Sequence, residues 1–267
     1  MNRLRGEAEP FALATVVRTI SVTAAKAGAK AIIARDGSIV GGWIGGGCAR
    51  SAVIKAAKGS IEDGETRLIS IQPEDLLAEL GVESGEQREG VQFAKNMCPS
   101  QGTMDIFVEP VLPRPALAIF GSSPVAVALA QQAPSIGFDT TICAPVEDQS
   151  AFRDTENLLD GFDIPLNSNS ERYFIVSTQG RGDLAALEAA LNADAKHVAF
   201  VGSRRKIASL KEKLGEKGFE ESTLSRLHGP AGLDLGAITP EEIALSILAE
   251  LLMVRRMGQR GSNIQHV

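Results

Sequence analysis

Up to residue 110 the chain alternates short runs of β-branched and aliphatic side chains with glycine-bearing breaks. Residues 11–19, 29–34, 66–71 and 103–108 read as strands of a small sheet on this pattern. Between them, residues 49–58 carry Ala and Lys with apolar positions at Ala52, Val53 and Ala56, which predicts a helix starting directly after a glycine cluster. Prolines at 110, 113 and 115 then starve the backbone of donors and favour an extended linker. The expected organisation is an N-terminal domain over residues 1–110, a linker over 111–115 and a C-terminal domain over 116–267.

After the linker the period changes to strand-helix alternation: 116–120 then 125–133, 139–143, 173–177 then 184–191, and 197–201 then 206–214. That alternation predicts a Rossmann-like, doubly wound parallel sheet beside a small mixed α+β domain, an α/β protein. The last element is marked most clearly. Thr239-Pro240-Glu241-Glu242 supplies an N-cap, a first-turn proline and a capping-box glutamate, and Ile243, Ile247 and Leu251 follow on one stripe.

Composition narrows the class. With 44% hydrophobic positions but only ten Phe, one Trp and one Tyr, the core must be aliphatic, and disorder is excluded. A formal charge of −6 gives no general attraction to nucleic acid or membrane surfaces, and no apolar run suits a membrane span or a leader, so a cytoplasmic protein is expected. Cys48, Cys98 and Cys143 are too few and too widely spaced for a disulfide framework, and the dispersed His197, His228 and His266 give little support to a structural zinc site.

Two stretches of the first half carry candidate chemistry. In Gly41-Gly42-Trp43-Ile44-Gly45-Gly46-Gly47-Cys48, consecutive backbone N–H groups can cradle an anion, and a helix N-terminus would favour the Cys48 thiolate. The competing reading is a tight glycine turn before an inert, packed cysteine. Cys98-Pro99-Ser100-Gln101-Gly102-Thr103 is a shaped loop, and if the sheet sets it beside Gly45–Cys48, two thiols suited to a soft metal or to sulfur transfer would share one cavity.

In the second half, Gly121-Ser122-Ser123-Pro124 keeps only the first glycine of a dinucleotide fingerprint, and the following strand ends without an acidic tip, so NAD(P) binding is not expected. Val201-Gly202-Ser203-Arg204-Arg205-Lys206 places a hydroxyl and three cations at a helix start, where they oppose the dipole unless an anion sits there. A solvated basic turn is the other reading. Thr178-Gln179-Gly180-Arg181-Gly182-Asp183, after the third strand, is a weaker ligand-facing candidate, the other reading being that Asp183 caps the next helix.

Taken in order, the G-G-x-x-G-G-G-C loop, the C-P-S-x-G-T-M-D segment, the G-S-R-R-K turn and the closing H-x-P-x-G-L-D-x-G-A-x-T-P-E-E-I-A-x-S-I-L-A-E resemble the XdhC/CoxI family over residues 11–256. The resemblance implies a chaperone that binds molybdenum cofactor (molybdopterin) as cargo, assists its sulfuration and inserts it into a xanthine dehydrogenase or carbon monoxide dehydrogenase type hydroxylase. It makes Cys48 and Cys98 the candidate thiols and metal-facing residues, Gly45, Gly46 and Gly47 the cradle, and Ser203, Arg204 and Arg205 the anion clamp. No residue receives a catalytic role. A molybdenum hydroxylase client is the implied partner, with a cysteine desulfurase and a second copy of the chain as further partners considered. Many relatives have a glutamate where Arg50 stands, and G-x-G-H where this chain has Gly121-Ser122-Ser123-Pro124; the latter favours the carbon monoxide dehydrogenase branch. The contrasting readings are an NAD(P)-dependent oxidoreductase and a pure interaction module.

Overall fold

A computed structural model describes residues 9–97, 101–153, 155, 157–165 and 170–260, and divides the chain into two units that meet in sequence at Pro113 and Arg114. The first unit holds β1 (Phe11–Ile20), β2 (Lys30–Ala34), β3 (Ile39–Gly42), α1 (Gly47–Asp63), β4 (Arg67–Gln72), α2 (Glu74–Leu80), β5 (Gln87–Arg88), β6 (Val91–Lys95) and β7 (Thr103–Val111). Its sheet runs β3-β2-β1-β7-β4-β6-β5, antiparallel except for β4 with β6. Alternate residues of the central strands, Ala12, Ala14 and Val16 with Ile69, Ile71, Ile106 and Val108, bury against Val53, Ala56, Ala57 and Ile61 of α1. The small alanines on both surfaces let the helix lie close to the sheet. β7 continues through Pro110 to Val111, so the proline segment begins as strand.

The second unit holds β8 (Ala116–Phe120), α3 (Pro124–Gln132), β9 (Asp139–Ala144), β10 (Asn157–Asp160), β11 (Arg172–Val176), α4 (Asp183–Asn192), β12 (His197–Phe200), α5 (Arg204–Glu216), α6 (Glu221–Leu224), β13 (Leu227–His228) and α7 (Pro240–Arg260). Its strands order as β10-β9-β8-β11-β12-β13, and each pair is parallel. Numbered within the unit this is 3-2-1-4-5-6, the Rossmann order, with the switch point between β8 and β11. Leu129 of α3 and Ile247 and Leu251 of α7 cover one face; Leu187 of α4 and Leu210 of α5 cover the other. The expected capping box closes α7: Thr239 Oγ1 accepts from Glu242 N at 3.3 Å, and Glu242 Oε2 accepts from Thr239 N at 3.0 Å. Among the described residues no helix is long and apolar enough to cross a membrane.

Candidate functional site

In the first unit the glycine loop turns the chain off an edge strand and into a helix. Gly42 has φ +77, and a Cβ there would lie 2.1 Å from Lys30 O, so the approach of β3 to β2 requires glycine. Trp43 N donates to Lys30 O at 2.8 Å, and the fully buried Ile44 then anchors the loop in the core. Truncating such an anchor costs about 2–5 kcal/mol. Gly45 turns with φ +112, and Gly46 enters α1 as an extended N-cap.

Gly46 is the informative position. Its backbone is one any residue adopts, and a Cβ there would meet nothing within 4 Å. A side chain would instead fill a cavity of about 310 Å³ lined by Gly45, Gly46, Gly47, Thr23, Asn96 and Met104 among others. Among the described residues no side chain caps α1, and its first turn holds no acidic residue, so its first amides face the cavity open to an acceptor. Apolar walls from Ile71, Ala49 and Met104 lower the local dielectric and strengthen any such contact.

The loop carrying the second candidate thiol joins this cavity through its flanks, since Met97 and Gly102 both line it. Asn96 Nδ2 donates to Gly102 O at 2.6 Å, tying the two flanks together. Gly102 permits the close pass to Val22, whose carbonyl oxygen would sit 2.3 Å from a Cβ. Residues 98–100, including Cys98, lie outside the described residues, and so does the side chain of Cys48, the second residue of α1. Thr23, Asn96 and Met97 carried no sequence signal of their own; Met104 stands inside the quoted C-P-S-x-G-T-M-D segment. Cys143 is fully buried, and burial pushes its thiol up to about 12.

In the second unit the three residues of the basic turn separate. Ser203 caps α5, its hydroxyl accepting from Lys206 N at 3.3 Å. Lys206 pairs with Asp183 at 2.6 Å, while Arg204 and Arg205 stay exposed. Arg204 lines a cavity of that unit; Arg205 and Ser203 do not. Asp183 corrects an expectation. The N-cap of α4 is Gly182 in left-handed conformation, and Asp183 instead accepts from Thr178 Oγ1 and from Gly180 N at 2.9 Å. Burial works against its charge, but Lys206 and these donors hold its carboxyl below the usual range.

At the switch point Gly121, with φ +100, passes so near β11 that a Cβ would lie 2.7 Å from Ser177 O. Ser123 caps α3 by accepting from Ala126 N at 3.1 Å, and its hydroxyl meets that of Ser177 at 2.6 Å. Pro124 at the first helical position has no N–H to offer. The turn therefore bonds inward, where a dinucleotide fold would direct amides at a pyrophosphate.

A parallel six-stranded Rossmann-order unit, preceded by a mixed-sheet unit with an open glycine-lined cavity, defines the class. Residues 117–251 match the XdhC Rossmann domain and residues 4–72 the XdhC and CoxI family, and the chain belongs to that family. It is 29% identical over 260 residues to uncharacterized protein YqeB of Escherichia coli (strain K12), a match covering 94% of this chain and 45% of that one. It is 28% identical over 168 residues to a probable xanthine dehydrogenase subunit of Bacillus subtilis (strain 168), covering 58% and 47%. The chain thus spans less than half the length of either relative. A solved structure described as a xanthine dehydrogenase from Bacillus halodurans aligns over 98% of this chain and 96% of that one, with 19% identity and a TM-score of 0.46.

Proposed function

We propose that the chain is an accessory protein that binds molybdenum cofactor as cargo and passes it to a molybdenum hydroxylase, with no turnover of its own. The observation that carries the reading is the cavity at Gly45–Gly47, where Gly46 is glycine although neither its backbone nor its packing requires it. Glycine there leaves room for a ligand and bares the first amides of α1 to an anionic group. Cys48 is the second residue of that helix, and Met97 and Gly102, on either side of the segment that holds Cys98, line the same cavity; thiols brought to it would suit a soft metal. In the second unit Arg204, exposed and lining a cavity, supplies a fork for an anion. Family membership and the name of the Bacillus subtilis relative support a xanthine dehydrogenase type client. Sulfuration of the cargo would bring a cysteine desulfurase as a further partner. The oxidoreductase reading rests on strand order alone and is not favoured by the inward-bonded Gly121 turn.

The test is to purify the chain from cells making molybdenum cofactor and to assay molybdenum and oxidised pterin together. Near-stoichiometric molybdopterin is expected with the native sequence, and Gly46→Val, which adds bulk only to open space, should lose it while costing only about 1 kcal/mol for a poorer N-cap. Absence of pterin from the native protein would overturn the reading.

A further inference from the structure

One side of α7 is committed to the core, where Ala244, Ile247, Leu248 and Leu251 bury in the cluster that holds Leu129 of α3. The opposite side is apolar yet uncovered. Leu245, Met253 and Met257 are 58%, 40% and 64% exposed, and Ile238, just before the helix, is 84% exposed. Leu235 joins them from the preceding loop, and elsewhere among the described residues of the second unit only Val146 and Leu158 are large, apolar and exposed. Apolar side chains gathered in this way and flanked by charge mark an interaction surface.

The order of residues along that side selects the occupant. Glu242, Leu245, Ala249, Leu252 and Arg256 recur at alternating steps of three and four, the spacing that keeps one stripe turned toward a neighbouring helix. The stripe is acidic at its start, basic at its end and apolar between, with its smallest side chain, Ala249, at the midpoint. Turned about a two-fold axis through Ala249, it matches itself. Glu242 meets Arg256 of the partner subunit, Leu245 meets Met253 of the partner subunit, and the two copies of Ala249 face each other. Each contact then occurs twice, as a two-fold interface requires. The capping bonds of Glu242 to Ile238 N and Thr239 N both use Oε2, so its charge remains available to a guanidinium. Antiparallel helices also set their dipoles head to tail, and paired alanines let the axes approach to about 8 Å. An unrelated partner would have no need of a stripe that is its own complement.

We propose that α7 pairs antiparallel with α7 of a second copy of the chain, centred on Ala249. The last turns of the second helix then lie beside Ile238 and Leu235, at the rim of the cavity that Arg204 and Leu235 line. The pairing goes beyond the cargo reading and does not rest on it.

The experiment is sedimentation velocity of the full chain at about 1–200 µM, a range over which mass action reveals a weak pair. The mass should rise with concentration from the 28.1 kDa of one chain toward twice that value. Leu245→Glu combined with Met253→Glu should keep the chain single throughout; both positions are exposed and glutamate is a good helix former, so circular dichroism should not change. Oxidation of added cysteines reads the register. Ala249→Cys should give a disulfide-linked pair, because its two thiols meet on the axis. Leu245→Cys should not, because its two copies lie about 12 Å apart along the helices and a disulfide needs Cα atoms within about 7 Å. The native chain, with its own three cysteines, sets the background. A single copy at every concentration, a pair that survives both glutamates, or linkage at Leu245→Cys in place of Ala249→Cys would overturn the assignment. Molybdopterin co-purification is a separate readout, so failure of either leaves the other standing.

Discussion

Gly42 and Gly46 stand four residues apart for opposite reasons. Gly42 is glycine because left-handed backbone and the Lys30 carbonyl exclude a side chain; Gly46 is glycine in an ordinary conformation beside empty space. Gly42→Ala should therefore lower stability by about 2 kcal/mol or more, read by thermal melting, whereas Gly46→Val should act mainly on cargo and cost only about 1 kcal/mol as a poorer N-cap. The cysteines divide similarly. Cys143, its thiol raised by burial to about 12, stays protonated and packed, so Cys143→Ser should cost about 1–3 kcal/mol for the buried hydroxyl and leave client activity intact. Cys48→Ser replaces a soft ligand by a hard, far more basic one and should abolish maturation of the client hydroxylase, with Cys98→Ser impairing it. Client activity and molybdenum content at matched protein level check all three, and full activity with Cys48→Ser would remove that residue from the site.

Elements were legible in the sequence where their signal is local. The α7 capping box is written in four consecutive residues, and the strand-helix alternation after residue 116 follows from period alone. Elements made by their neighbours were not. Gly41 and Gly42 look like turn residues yet extend β3 against Ile32 and Ala31, and β13 has two residues that count as strand only through Val198 and Ala199. Likewise the glycine loop announced a cavity, but Thr23 and Asn96 join it through sheet register, which no short motif encodes. The β12, β13 and α7 junction gives a pH dependence. His228 stacks on His197 with ring centroids 4.5 Å apart, and Glu250 and Lys211 also face it. Burial first, then His197, hold its pKa below the usual 6.5. The unfolded chain therefore takes up the proton first, so stability is full above about pH 6.5 and falls as pH drops toward the folded value. Glu250, also lowered, loses its contribution only below its ordinary 4.5, a separate window. Melting temperature should decline between pH 7 and 5.5 in the native chain and decline less in His228→Asn; equal slopes would place the dependence elsewhere.

At the scale of the molecule, the 3-2-1-4-5-6 order alone would invite a dinucleotide, whereas the side chains at the switch point bond to one another. Ser123 and Ser177 bond to each other, Pro124 has no donor, and the Gly121 turn lies against β11. Calorimetric titration with NAD and with NADP should show no micromolar binding, and such binding would bring the oxidoreductase reading forward. The first unit carries a different consequence. Its two central strands, β1 and β7, come from the two ends of its chain, and Phe11 faces Val111 across them. The polypeptide enters and leaves by one corner, like a bead on a looped thread. Such a unit can be spliced into a longer polypeptide, or have its ends joined and a new opening cut at a surface turn, without any strand exchanging its partner.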